Sequence, residues 1–203
     1  MPTKILIVFY SRNGSVEALA KAMADGAMGE GAEVRIRRAR ELVAPEVMAM
    51  APGWAESAAR MNALYEAPTA EDAEWADAIL FGSPTRFGGA ASELRAWLET
   101  LGALWYFGKL VGKAGGAFTS TANAHGGNET TILSLYSAMA HLGLIIVPTG
   151  YGDPSLFGAG TPYGASSVST AANNPPSDQS LTVAAYQGRR TAQVAAALAA
   201  VRA

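Results

Sequence analysis

Residues 4–10 read KILIVFY, an apolar run carrying one charge, at its first position. A run this short and this apolar fits a strand buried on both faces, the situation inside a parallel sheet. The loop SRNGS at 11–15 follows it. Then Val16, Leu19, Ala20, Met23 and Ala27 recur at helical spacing, with Ser15 as the expected N-cap and Gly29 and Gly31 marking the end. Strand, polar loop and amphipathic helix in that order are one half of a βαβ unit, and they set the expectation for the rest of the chain.

The succession repeats. Residues 33–37 (EVRIR) alternate as a strand, and 41–70, broken by Pro45, Pro52 and Pro68, resolve only into loop and short helix. A strand is expected at 78–82, a loop at 83–89 (SPTRFGG) and a helix at 92–101 with Leu94, Trp97, Leu98 and Leu101 on one face. A strand at 114–119, a loop at 120–128 and a helix at 129–142 come next, then a strand at 144–148 and an Ala-rich helix at 184–203. The intervening 149–183 are rich in Gly, Pro, Ser and Asn. That is too long for a structureless loop in a compact domain, so a functional or interface element is expected there. About five β–α units imply an α/β fold, a doubly wound parallel sheet with helices on both faces and a long insertion before the last helix, in one domain spanning 1–203.

Composition narrows the chemistry. The chain has 15 basic and 17 acidic residues and no cysteine. Disulfides, thiolate catalysis and Cys-ligated metals are excluded, and no metal site is expected. Arg35, Arg37, Arg38 and Arg40 form the densest basic run; it reads as a solvated strand end, so no nucleic-acid partner is expected. No apolar stretch approaches the ~20 residues of a membrane span, and the first strand has no charged leader before it. A soluble, unprocessed, cytoplasmic protein without membrane insertion is the expectation.

In an open parallel sheet, ligands bind beyond the carboxyl ends of the strands. The loops at 11–15, 83–89 and 120–128 all leave those ends, and all are rich in Ser, Thr, Asn or Gly. The first is either an ordinary βα turn or a phosphate cradle, in which Ser11, Asn13 and Ser15 add neutral donors to a helix N-terminus and Gly14 lets the backbone approach. It matches neither GxxxxGK[ST] nor GxGxxG. The second offers Pro84, Arg86 and Phe87, as a capping turn or as the flank of a flat ring. The third is a surface loop or a set of donors to a ring edge. His125 reads as a loop histidine, and His141 as a core or helix-end histidine. Trp105, Tyr106 and Phe107 form an aromatic run that suits packing, an interface or a ligand wall.

With those loops in view the chain resembles the WrbA family of type IV NAD(P)H:quinone oxidoreductases nearly end to end. The resemblance is carried by YS-x-x-G at 10–14, GSPTRFG at 82–88, LW at 104–105, GK at 112–113, F-x-ST at 118–121, GG-x-E at 126–129, AH-x-G at 140–143, IVP-x-GY at 146–151 and GTPYGA at 160–165. It implies a flavodoxin-like five-stranded sheet of order 2-1-3-4-5, with FMN at the strand ends and NADH or NADPH as co-substrate. It also implies a quinone acceptor, a ping-pong two-electron hydride mechanism and a homotetramer whose subunits share sites. By the same resemblance Ser11, Arg12, Asn13, Gly14, Ser15 and Val16 hold the phosphate. Pro84, Thr85, Arg86 and Phe87 border the isoalloxazine, and Thr119, Ser120, Thr121, Ala122 and Asn123 form the third flavin loop. His141 is a catalytic histidine near the flavin and Trp105 lines the substrate space. Two departures stand out: residues 122–125 (ANAH) replace a glycine-rich stretch, and Asn13 stands where some members carry an aromatic. A flavin reductase with another acceptor, a flavodoxin-type carrier and a non-catalytic flavin-binding regulator are the rival readings.

Overall fold

The computed structural model describes residues 1–170 and 173–202. In chain order it contains β1 (Lys4–Phe9), α1 (Ser15–Met28), β2 (Glu33–Arg38), α2 (Pro45–Ala49), α3 (Trp54–Leu64), α4 (Ala70–Trp75) and β3 (Ala78–Arg86). Then come β4 (Gly89–Ala90), α5 (Ser92–Glu99), α6 (Gly102–Tyr106), β5 (Ala114–Thr121), α7 (Asn128–His141) and β6 (Ile145–Ile146). A 3₁₀ turn (Pro154–Phe157), β7 (Ser166–Val168) and α8 (Asp178–Arg202) complete the chain. The main sheet runs β2-β1-β3-β5-β6, all parallel, which is the expected 2-1-3-4-5 when the principal strands alone are numbered. Two short strands are added, β4 antiparallel on β3 and β7 parallel on β5.

The apolar run of β1 explains the layering. Side chains alternate across a strand, so Ile5, Ile7 and Phe9 enter one core with Leu19 and Met23 of α1 and Val183 and Ala184 of α8. Leu6 and Val8 enter the opposite core with Leu94 and Trp97 of α5 and Ile132, Leu135 and Met139 of α7. Helices α1 and α8 cross at two glycines. A Cβ on Gly26 would stand 2.0 Å from the Ala185 carbonyl oxygen, and one on Gly188 2.0 Å from that of Met23. Larger residues there would force the helices apart.

Several elements run further than local pattern suggests. The third strand was expected to stop at 82 but continues to Arg86, because Ser83 and Pro84 pair with Thr119 and Ser120 of β5 and Thr85 and Arg86 fold back on Gly89 and Ala90. The fourth strand reaches Thr121 rather than 119, since β7 supplies partners for Thr119, Ser120 and Thr121. The fifth strand, expected over 144–148, is confined to Ile145–Ile146. The rest of that edge is supplied by β7, so the 149–183 insertion begins as an excursion that splits the edge strand. The last helix starts at Asp178, capped by Ser177 through the Ser180 amide (3.1 Å), not at 184; its expected end at Ala203 lies outside the described residues. Among the described residues no helix is long and apolar enough to cross a membrane.

Candidate functional site

The first loop is shaped from both sides. Ser11 is buried; its hydroxyl accepts the Gly14 N–H at 3.0 Å, and its carbonyl accepts a guanidinium N–H of the buried Arg38 at 3.1 Å. Gly14 turns the chain with φ 94°, a left-handed conformation in which an L side chain is strained. Here the structure corrects the sequence reading: Gly14, not Ser15, is the N-cap of α1, and Ser15 is its first helical residue. Among the described residues no side chain caps this helix. Its first amides and the positive end of its dipole are therefore directed at the loop, an arrangement suited to an anion.

The second loop is a tight hairpin. Phe87 and Gly88 form its two-residue turn with φ of 53° and 79°, the primed geometry that matches strand twist. Left-handed backbone is uncommon for a bulky residue, and here it leaves the Phe87 ring fully in solvent. The Thr131 hydroxyl of α7 meets that of Thr85 at 2.9 Å, so α7 anchors the hairpin.

The third loop opens at Thr119, Ser120 and Thr121, all buried between β3 and β7. The Thr119 hydroxyl has no hydrogen-bond partner among the described residues. Thr121 donates to the Asn123 carbonyl (2.8 Å), and the Asn123 side chain accepts the His125 amide N–H (3.0 Å), making a local turn.

These loops enclose a cleft of about 190 Å³. Ser11, Arg12, Asn13, Ser15 and Val16 line one side, Pro84, Thr85 and Arg86 another, and Ser120, Thr121 and Ala122 a third. Gly14 contributes its backbone turn. Two further lining residues, Ser169 and Asn173, come from the insertion after β7 and were not singled out in the sequence. The insertion's Ser/Asn content was the available signal, but nothing local showed that it folds back over the first loop. Asn123, Phe87, Thr119 and His125 are not among the lining residues.

His141 and Trp105 lie away from this cleft in the same chain. They line a separate recess of about 310 Å³ with Arg95, Leu98, Leu101 and Leu142. His141 ends α7, whose first residue, Asn128, adjoins the third loop. At ~1.5 Å per residue a 14-residue helix is about 21 Å long, so within one chain His141 is far from the cleft. Trp105, Tyr106 and Phe107 stand exposed beside this recess.

The donor set suits a neutral-to-anionic ligand with a terminal phosphate and a flat polar ring: an uncapped helix N-terminus, Arg12, and hydroxyls on three adjoining strand ends. Nothing in it provides a general base poised beside a nucleophile.

Residues 3–153 match the model of the family described as NADPH-dependent FMN reductase. The chain is 45% identical over 206 residues to "NAD(P)H dehydrogenase (quinone) 3" of Rhizobium meliloti, covering 97% of this chain and 93% of that one. It is 42% identical over 198 residues to "NAD(P)H dehydrogenase (quinone)" of Deinococcus radiodurans, covering 97% and 98%. Among solved structures, the flavodoxin, WrbA-like protein from Agrobacterium tumefaciens superposes with a TM-score of 0.66 at 23% identity, over 96% of this chain and 98% of that one. Oxidised Flavodoxin 1 from Bacillus cereus does so with 0.62 at 16% identity, over 94% and 98%. At those identities the two structures establish the flavodoxin-like fold.

Proposed function

The chain belongs to the NADPH-dependent FMN reductase family, and on that premise we propose that it is an FMN-dependent NAD(P)H:quinone oxidoreductase of the WrbA type. The observation that carries this is the convergence on one cleft of the uncapped α1 N-terminus and the hydroxyl-rich ends of β3 and β5. The residues fit FMN. The amides that follow Gly14, with Arg12, Ser15 and the Asn13 side chain, hold the phosphate. Thr85 and Arg86 border the ribityl chain and ring. Ser120, Thr121 and Ala122 face the ring edge, and Thr119, whose hydroxyl is unpartnered among the described residues, precedes them on β5.

When bound, FMN supplies the two-electron chemistry, accepting a hydride equivalent from the nicotinamide and passing two electrons to a quinone. The protein's part is positional. The cleft walls would hold the ring, and donors from the third loop would favour negative charge at its edge. Donor and acceptor use the same open mouth in turn, a ping-pong order. The resemblance extends to a cytoplasmic homotetramer, and that is the assembly and compartment we propose. In it the His141–Trp105 recess of one subunit faces the cleft of another, which reconciles the distance between them with the roles the resemblance gives them.

The test is titration of apo-protein with FMN, followed by steady-state kinetics with NADPH and benzoquinone. Tight stoichiometric binding and parallel double-reciprocal lines are expected. Failure to bind FMN overturns the reading; intersecting lines overturn the ping-pong order alone.

A further inference from the structure

The phosphate side of the cleft carries a charge that should oppose an anion. Glu17 is buried in the first turn of α1, close after Gly14. A Cβ on Gly14 would stand 3.7 Å from the Glu17 carboxylate and 4.0 Å from the Arg60 guanidinium. This acid–base pair therefore lies against the turn that would receive the phosphate. Arg60 comes from α3, within the proline-broken 41–70 stretch, and is 43 residues from Glu17 in sequence.

The contact is bidentate. Both terminal nitrogens of Arg60 donate to Glu17, one to each carboxylate oxygen, the first at 3.0 Å. The Tyr65 hydroxyl donates to the same carboxylate at 3.0 Å. Lys21, more than half exposed and one turn further along α1, approaches it within 3.4 Å. Burial opposes the Glu17 charge, but the hydrogen bonds from Arg60 and Tyr65 hold its pKa below the ordinary 4.5, so it is ionised at neutral pH. A carboxylate suits the positive end of α1, yet it repels any second anion placed beside it. Helix α3 meets the first loop again through Trp54, on whose ring the Arg12 guanidinium stacks at 3.8 Å. One helix thus steadies the arginine of the loop and neutralises the acid of the turn that follows it.

Without Arg60, a flavin phosphate in this loop would meet an uncancelled buried carboxylate. We propose that Arg60 sets the chain's discrimination between phosphorylated and unphosphorylated flavin: by cancelling the charge of Glu17 it lets the first loop accept the phosphate of FMN. Arg60 acts through Glu17 and is a positioning residue, not a catalytic one. The proposal rests on the FMN-binding reading above and adds to it a residue outside the three loops of the cleft.

Titration of the apo-protein with FMN and with riboflavin, read by quenching of flavin fluorescence, tests it. Riboflavin lacks the phosphate and reports any merely structural effect. One charge near a partly solvated site changes affinity by about three- to tenfold. Arg60→Met is expected to weaken FMN by that factor and leave riboflavin unchanged, and Arg60→Lys should keep most of the FMN affinity. Glu17→Gln should act with the opposite sign, tightening FMN with riboflavin again unchanged, even though it lowers the stability of the fold. Both differences from the unmodified protein should shrink in 1 M salt, where the Debye length is ~3 Å. If the pair only braces α1 against α3, both substitutions loosen both flavins, and that result overturns the proposal. So does an FMN-to-riboflavin ratio that Arg60→Met leaves unchanged. Should Arg60→Met fail to fold, the sign of the Glu17→Gln effect on FMN decides alone: tightening supports the proposal and weakening overturns it. An unmodified protein that binds no FMN is a separate result and overturns the oxidoreductase reading together with this one.

Discussion

The Asn13 side-chain amide donates to the Asn173 side-chain oxygen at 2.7 Å, across 160 residues of chain. That contact lays Asn173, from the segment after β7, against the first loop. The segment is itself tied down: the Ser169 amide donates to the Thr121 carbonyl (2.8 Å) and the Asn174 amide to the Ser169 carbonyl (2.7 Å). The cleft is thus closed on one side by a polar latch between the first loop and the insertion.

If the latch retains flavin, Asn13→Ala and Asn173→Ala each speed FMN release. A neutral, exposed hydrogen bond contributes roughly 0.5–1.5 kcal/mol, so the expected acceleration is about two- to tenfold. The double variant should release FMN no faster than the more affected single variant, because both remove one interaction. Recovery of free-FMN fluorescence after dilution measures this. Additive effects would show that the two side chains act separately.

Arg38 supports the same loop from behind. It is fully buried, pairs with Glu41, and donates to the Ser11 carbonyl. Arg38→Met strands a buried carboxylate and should cost about 3–5 kcal/mol in chemical unfolding. Removing both charges, with Arg38→Met and Glu41→Leu together, should recover much of that stability but not FMN affinity, because the Ser11 carbonyl has lost its anchor. Full recovery of FMN affinity in the double variant would mean that Arg38 serves stability alone.

The fold was legible because β1 and α1 carry their periodicities cleanly. What local pattern missed was set by distant pairing. Nothing between residues 83 and 86 marks them as strand until Thr119 and Ser120 lie alongside. The edge strand is split because Ser166–Val168 replaces residues that follow Ile146. Ser15 looked like a cap by residue type, yet Gly14 at φ 94° takes that position once Ser11 accepts its amide. The three loops of the cleft were found because each follows a strand. Asn173 and Ser169 were not, since their place depends on how the insertion folds back. His141 was assigned through family resemblance, and helix length separates it from its own chain's cleft.

Acid should unfold the protein through identifiable carboxylates. Burial alone would raise the Glu17 pKa, but hydrogen bonds from Arg60 and Tyr65, with the charges of Arg60 and Lys21, hold it below the ordinary 4.5. Burial likewise opposes, and Arg37, the Thr69 backbone and Arg35 outweigh it, in holding Asp72 below 3.8. A carboxylate with a depressed folded pKa contributes stability that is present above its unfolded pKa and is lost as pH falls through the folded one. Unfolding free energy should therefore be level from neutral pH down to about 5 as far as these groups are concerned, then fall with further acidification. Glu17→Gln should lower stability at pH 7 and flatten the acid limb. An unchanged acid limb would remove Glu17 from the account.

His141 should work across subunits. A chain whose cleft is blocked by Gly14→Val and a chain carrying His141→Ala should each turn over quinone poorly as homo-oligomers. Co-assembled, they should recover part of the activity, because hybrids pair an intact cleft with an intact His141. Full activity of His141→Ala alone would remove the histidine from turnover. Absence of recovery on mixing, with hybrids shown by native mass spectrometry, would contradict the shared site.

Anaerobic stopped-flow spectroscopy of the FMN-loaded protein, mixed first with NADPH and then with benzoquinone, bears most directly on the oxidoreductase reading. The flavin band should bleach rapidly with the nucleotide and return rapidly with the quinone, each without the other substrate present. Bound flavin that neither NADPH nor NADH can bleach would contradict it.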